Sequence, residues 1–292
     1  MNKKIIYIKY NSYRKPEFNL RTEFRIENKK KYVYKVALYE QGKSFIQYIN
    51  NSYKQLSRLN LPLKVNKCTL IDESTLRFDY IKGETLLDEL KRETKKHNSR
   101  SFIQKCEDFK NLLDQLPSQT GKLSKNFEKV FGSYEDNTKY DLLLPGILDL
   151  NLDNIIRDTK GELYLIDYEW YFDFGIPKKY ILFRSISNLF ISAKLIDTES
   201  FNIDKIFSLF QINKEDIDKY LNWELNFQGY VSKEELQKQQ LTIYEISKSG
   251  DQLKEDTIIT TKSDVNYQQK LLNNEINKPR SEYNQLQSEY NK

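Results

Sequence analysis

The stretch Asp149 to Trp170, DLNLDNIIRDTKGELYLIDYEW, constrains the fold more than any other part of the chain, because it sets a polar loop against a hairpin. Asp149-Leu150-Asn151-Leu152-Asp153-Asn154 reads as the loop, and Ile155-Ile156 begins a short strand. Arg157-Asp158-Thr159-Lys160-Gly161 has the residues of a hairpin turn, and Glu162-Leu163-Tyr164-Leu165-Ile166 returns as the second strand. Asp167 then falls at a strand end beside the loop that carries Asp149 and Asn154. Local geometry alone brings three oxygen-bearing side chains to one point.

The spacing suits a particular chemistry. Phosphoryl transfer needs a carboxylate to accept the hydrogen bond of the attacking hydroxyl, and oxygen ligands for a hard cation on the nucleotide phosphates. Asp149, with Asn154 five residues on and Asp167 thirteen beyond that, supplies both. One other Asp has Asn five positions later, Asp197 with Asn202, but thirteen residues further lies Glu215 in a helix-like run with no hairpin. The bland alternative for Asp149 is an Asp that caps a turn.

Upstream, residues 32–38 read YVYKVAL, and their period of two puts Val33, Lys35 and Ala37 on one face. A lysine inside such a strand sits at an edge, snorkels outward, or is aimed at phosphate. A lysine of the third kind needs a carboxylate partner, and Glu40 is the only acidic residue between Lys35 and Asp72. Residues 41–59 have helical apolar spacing at Phe45, Ile49, Ser52/Tyr53, Leu56 and Leu59, which places Glu40 at the helix entrance, where it is also simply a favourable charge. Next, LRFDYIKGETLLDEL passes from strand to helix, with Gly83 expected to supply the turn and Thr85 the cap.

In order, Lys35, Glu40, the FDYIKGETL crossing, Asp149-x4-Asn154 and Asp167 resemble the protein-kinase-like fold over roughly residues 5–190. The Ile166-Asp167-Tyr168-Glu169-Trp170 metal loop resembles the small-molecule branch with choline, aminoglycoside and lipopolysaccharide kinases. RTEFRIENKKKYVYKVAL, DLNLDNII and LIDYEWYFDFGIPKKYILFRSI resemble the kinase-like region of bacterial O-antigen chain-capping kinase-methyltransferases. The resemblance implies an α+β, two-lobed fold using ATP and Mg²⁺. Asp149 would be the catalytic base, Asn154 and Asp167 the metal ligands, and Lys35, positioned by Glu40, the phosphate-binding cation, with backbone near Tyr80 and Ile81 on adenine. The acceptor it implies is a hydroxyl on a sugar, glycan terminus or similar small polar molecule in cell-surface polysaccharide biosynthesis. Two departures stand out: Ile147-Leu148 replaces the His-Arg that precedes the catalytic Asp, and residues 5–31 contain no Gly for a phosphate loop. A catalytically silent kinase-like scaffold in glycan assembly is therefore the alternative reading.

Composition limits the other classes. At 292 residues, 38% hydrophobic and 30% charged, the chain is expected to be globular and soluble, and no apolar run reaches membrane-spanning length. The opening MNKKIIYIKYNSYRK is too polar after Ile8 for a signal peptide, so a cytoplasmic location is expected, with peripheral membrane contact left open. Cys68 and Cys106 lack metal spacing and are expected to be free thiols, and a single His, His97, disfavours Ser-His-Asp and thiol-His catalysis. A net charge of +5 is spread along the chain, with Lys29-Lys30-Lys31 expected at a solvated hairpin turn and Lys91–Arg100 in a solvated linker. Nucleic acid is not an expected partner.

Three regions are expected: a strand-rich lobe over 1–81, a helical lobe with the catalytic and metal loops over 82–245, and a polar tail over 246–292. Helices are expected at FIQKCEDFKNLLDQL and from Lys178 onward, with Pro177 at a helix start. In the tail, Ile276, Tyr283, Leu286 and Tyr290 sketch barely two heptads interrupted by Pro279, leaving a short coiled coil that could oligomerise, a frayed helix and disorder all open.

Overall fold

The computed structural model describes residues 3–10, 13–133, 138–193 and 201–233. The chain divides into two compact units, Met1–Ile243 and Tyr244–Lys292, and the second, with the expected tail, lies outside the described residues. The described part is α+β.

It opens with β1 (Lys3–Tyr10), β2 (Leu20–Glu27), β3 (Lys30–Ala37), α1 (Gly42–Leu56), β4 (Lys64–Val65), β5 (Cys68–Asp72) and β6 (Thr75–Asp79). Five of these strands form one antiparallel sheet in the order β1-β2-β3-β6-β5. The β2–β3 hairpin turns on Asn28 and Lys29, both at positive φ (49° and 67°), the geometry that matches the right-handed strand twist. Lys29, Lys30 and Lys31 are exposed there, as expected. β3 is central, with Lys35 opposite Thr22 on one side and Leu76 on the other, so Lys35 is not an edge lysine. α1 packs on this sheet through Phe45, Ile46, Ile49 and Leu56, all buried.

The chain continues through β7 (Gly83–Thr85), α2 (Leu86–Lys95), α3 (Ser99–Asp114), β8 (Ser118–Gly121), α4 (Lys125–Phe131), β9 (Tyr140–Leu143) and β10 (Gly146–Ile147). The Thr85 hydroxyl caps α2 by accepting from the Asp88 N–H at 3.0 Å. Gly83 corrects its expectation: it lies in β7 opposite Asp158, where an added Cβ would stand 2.2 Å from the Arg157 carbonyl oxygen. It serves close strand approach, not a turn. The expected linker 91–100 is largely helical, since α2 runs to Lys95 and α3 starts at Ser99.

The hairpin of β11 (Ile155–Asp158) and β12 (Leu163–Leu165) pairs Ile155 with Leu165 and Arg157 with Leu163. Asp158 closes its turn by accepting from the N–H groups of Lys160 (2.8 Å) and Glu162 (2.9 Å). β4 and β7 flank the hairpin in the order β4-β12-β11-β7, which fixes its position from both sides. After β13 (Tyr171–Phe172) and β14 (Ile176–Pro177) come α5 (Lys178–Ala193), α6 (Ile203–Leu209) and α7 (Lys214–Val231). The core between α4, α5 and α7 is aromatic: Phe127, Phe131, Tyr180, Trp223 and Phe227 are each no more than 2% exposed. Cys68 and Cys106 are buried free thiols. Among the described residues no helix is long and apolar enough to cross a membrane.

Candidate active site

The loop bearing Asp149 is bound at both ends. β10 pairs with β13, Ile147 opposite Tyr171, and the Leu148 N–H donates to the Trp170 carbonyl at 3.0 Å. Ile147 and Leu148 are both buried and pack the loop against the core. The carbonyl of Asp149 accepts from the Asn151 N–H at 2.7 Å and from Asn154 Nδ2 at 3.1 Å. The Ile166 N–H donates to the Asn154 carbonyl at 2.9 Å, joining the loop to the strand end that presents Asp167. Trp170 N–H donates to Asp149 Oδ2 at 2.7 Å. Asp149, Asn154 and Asp167 thus come together as their spacing predicts.

Lys35 reaches the same point from β3. Its ammonium donates to Asp167 Oδ2 at 2.7 Å and to Glu169 Oε1, and its side chain is 7% exposed. Glu169 is bound on its other oxygen by Arg14 Nη1. Glu40 is a correction. Its side chain is 79% exposed and pairs with Lys43 at 2.8 Å, because it stands at the surface turn before α1 instead of on the helix face turned to the sheet. The carboxylate partners of Lys35 are instead Asp167 and Glu169, two residues apart and both turned toward its ammonium. Between them Tyr168 points the other way, its hydroxyl donating to the Asn66 carbonyl at 2.9 Å and its ring meeting Tyr53 and Phe78. Alternation about an Asp-x-Glu is the one sequence signal that points to Glu169.

At the crossing between the sheets, Tyr80 is exposed and Ile81 half-buried. The Tyr80 ring stands against Phe24 and Lys31. Asn66 braces the crossing, donating from Nδ2 to the Asp79 carbonyl at 2.9 Å and from its N–H to the Leu165 carbonyl at 2.9 Å.

Arg184, also not foreseen, projects from α5 beneath the loop, donating to Glu224 at 2.8 Å and to the Leu148 carbonyl at 3.4 Å. It supplies a buried cation close to Asp149 from an element far along the chain.

The charges set the acid-base behaviour. Burial, with the neighbouring charges of Asp167 and Glu169, pushes the Asp149 carboxyl up to about 7. Burial and Glu169 also raise Asp167, against the pull of Lys35, although its side chain keeps 30% of its surface exposed. Burial opposes ionisation of Glu169, but Arg14 and Lys35 outweigh it and hold the carboxyl at about 2. Lys35 is raised: burial works against its charge, and Asp167 and Glu169 more than offset that. Four carboxylates, Asp149, Asp167, Glu169 and Glu224, stand with three cations, Arg14, Lys35 and Arg184, and this surplus of negative charge suits a divalent cation. Asn154, whose amide nitrogen is already engaged by the Asp149 carbonyl, has its side-chain oxygen left as a ligand of the kind a hard cation takes. Among the described residues no group of three or more His, Cys, Asp or Glu is placed to hold a metal ion.

No protein-family model matches the chain, and no curated protein matches it. Solved structures similar to it include the choline kinase LicA from Streptococcus pneumoniae, at 15% identity over 85% of this chain and 93% of that one, with a TM-score of 0.45. Others are a ternary complex of the aminoglycoside phosphotransferase APH(2")-IIa with streptomycin and ATP (16%; 78% and 84%; 0.43) and the aminoglycoside phosphotransferase APH(4)-Ia (11%; 85% and 92%; 0.45). At such identities and TM-scores the site's own geometry, and not the likeness, has to carry the functional reading.

Proposed function

We propose that the protein is an ATP-dependent phosphotransferase of the protein-kinase-like fold, with lobes over residues 1–81 and 82–245, acting on a hydroxyl of a sugar or similar small polar acceptor. The observation that carries this reading is the convergence of Asp149, Asn154 and Asp167 with a buried lysine from a central strand. Asp149 accepts the proton of the attacking hydroxyl: one carboxylate oxygen is pinned by the Trp170 N–H, and a carboxyl raised to about 7 is a stronger base than an ordinary Asp. Asn154 and Asp167 would hold Mg²⁺, which when bound neutralises phosphate charge. Lys35 neutralises phosphate oxygens from the other side, held in place by Glu169. The backbone near Tyr80 and Ile81 is proposed to meet adenine.

A cavity of about 760 Å³, walled by rings including Tyr48, Trp170, Tyr171 and Tyr230 with Asn51 and Gln55 among its polar groups, is proposed for the acceptor's ring; it meets the site at Trp170, whose N–H binds Asp149, and Asp149 itself does not line it. Aromatic faces stack on a sugar and side-chain amides bond its hydroxyls. We place that acceptor in cell-surface glycan synthesis, on the strength of the motifs that resemble glycan-capping kinases.

Nucleotide titration with and without Mg²⁺ tests the reading. ATP is expected to bind more tightly with Mg²⁺, and Asp149→Asn to abolish turnover while sparing nucleotide affinity, whereas Asp167→Asn weakens the Mg²⁺-dependent part. No heat and no thermal shift with any adenine or guanine nucleotide leaves only a scaffold.

A further inference from the structure

Behind Glu169 lies a cation that the phosphate-binding lysine does not itself touch. The connection between β1 and β2 crosses to the end of α7 and is fastened there. The Lys15 N–H donates to the Val231 carbonyl at 2.9 Å and the Lys233 N–H to the Tyr13 carbonyl at 3.1 Å. Lys15 Nζ donates to the carbonyls of Gly229 (3.0 Å) and Tyr230 (2.9 Å), two of the carbonyls a helix leaves unpaired in its last turn. Between these anchors the Arg14 side chain, 13% exposed, lies over the Trp170 ring at 5.6 Å and donates to Glu169. Each oxygen of Glu169 therefore has its own cation, Oε1 with Lys35 and Oε2 with Arg14.

We infer that Arg14 is a positioning residue: anchored by the fastening of residues 13–15 to α7, it fixes Glu169, and through Glu169 sets where Lys35 meets the nucleotide phosphates. The inference rests on the reading of Lys35 as the phosphate-binding cation. With Arg14 absent, Glu169 and Asp167 would share a single ammonium in a buried space, and Glu169 would draw Lys35 toward itself unopposed. The planar guanidinium resists this because it keeps its charge and a fixed direction. Arg14 also reaches the site from the strand connection where glycines are missing, so the site gains a fixed side chain in place of a supple backbone loop.

The test is a double-mutant cycle of Arg14→Gln and Glu169→Gln on the full chain, reading kcat and KM for ATP and for acceptor, with the melting temperature of each variant. Arg14→Gln is expected to lower kcat/KM for ATP by about 10- to 100-fold, the scale of a group displaced by about an ångström, with the acceptor KM unchanged. Arg14→Lys, which keeps the charge without the planar fork, is expected to recover only part of that loss, and Arg14→Gln added to Glu169→Gln to cost little more, since residues acting as one unit are not additive. If Arg14→Gln fails to fold, Arg14→Lys, which keeps the charge and loses the fork, carries the comparison with wild type. Losses that multiply independently, or a variant that melts earlier yet has wild-type kinetics per folded molecule, overturn the inference. Wild-type protein that binds no nucleotide overturns both this inference and the phosphotransfer reading, whereas wild-type turnover with an indifferent Arg14 overturns this one alone.

Discussion

Replacing Glu169 by Ala, beside Glu40 by Ala, separates the carboxylate that the structure gives to Lys35 from the one that sequence order suggests. The Glu169 side chain is 4% exposed and shared between two buried cations, whereas that of Glu40 is 79% exposed beside Lys43. Removing one member of a buried charge pair costs about 3–5 kcal/mol, chiefly because the remaining charge is stranded. Lys35 keeps Asp167 at 2.7 Å while Arg14 loses its hydrogen-bonded carboxylate, so the lower figure applies, about 3 kcal/mol. For a unit of this size that is a fall in Tm of about 6–12 °C, measured by calorimetry on the apo protein. Turnover of ATP should fall about 100-fold, or about 2.7 kcal/mol in the barrier, because Lys35 is then held by Asp167 alone, the ligand proposed for Mg²⁺. Glu40→Ala should match wild type in both measurements. Comparable losses in the two variants, or a loss confined to Glu40→Ala, would refute the pairing and imply that the working protein turns α1 to bring Glu40 inward.

Two other consequences bear on the frame around the site. Gly83→Ala should lower stability by about 1–3 kcal/mol and weaken Mg²⁺-dependent nucleotide binding, since its Cβ meets the Arg157 carbonyl at 2.2 Å in the strand that leads from Asn154; a denaturant midpoint equal to wild type would mean that β7 and β11 are not so close. Glu224 is held below the usual carboxyl range: burial resists its charge, but Arg184, Gln228 and Tyr180 outweigh it. Its folded pKa thus lies below its unfolded one, so its stabilising share is complete above the unfolded value of about 4.3 and is lost as pH falls through the folded value. Glu224→Gln should therefore melt with a shallower dependence on acid, and an unchanged slope would remove Glu224 from the acid transition.

Much of the local frame was legible in the chain itself. The loop, the hairpin turn read at Arg157–Gly161, of which Arg157 and Asp158 prove to end β11, the Thr85 cap and the start of α5 after Pro177 depend on groups a few residues apart, and short-range hydrogen bonds and fixed backbone angles decide such features. Gly83 looked like a turn because the strand it must approach lies 74 residues away, Arg157, and Glu40 looked like a partner because it was the nearest acid in sequence.

What the sequence alone determined is therefore the nearness of Asp149, Asn154 and Asp167, since the loop and hairpin that carry them are joined by short-range hydrogen bonds. What only the tertiary structure decided is which of the chain's 42 acidic residues meets Lys35, and which distant cations, Arg14 and Arg184, stand around the site. Charges attract in proportion to proximity and inversely to local polarity. Both are set by how β3, the Asp167–Trp170 segment, α5 and the connection fastened to α7 pack, and no spacing in the sequence encodes that packing.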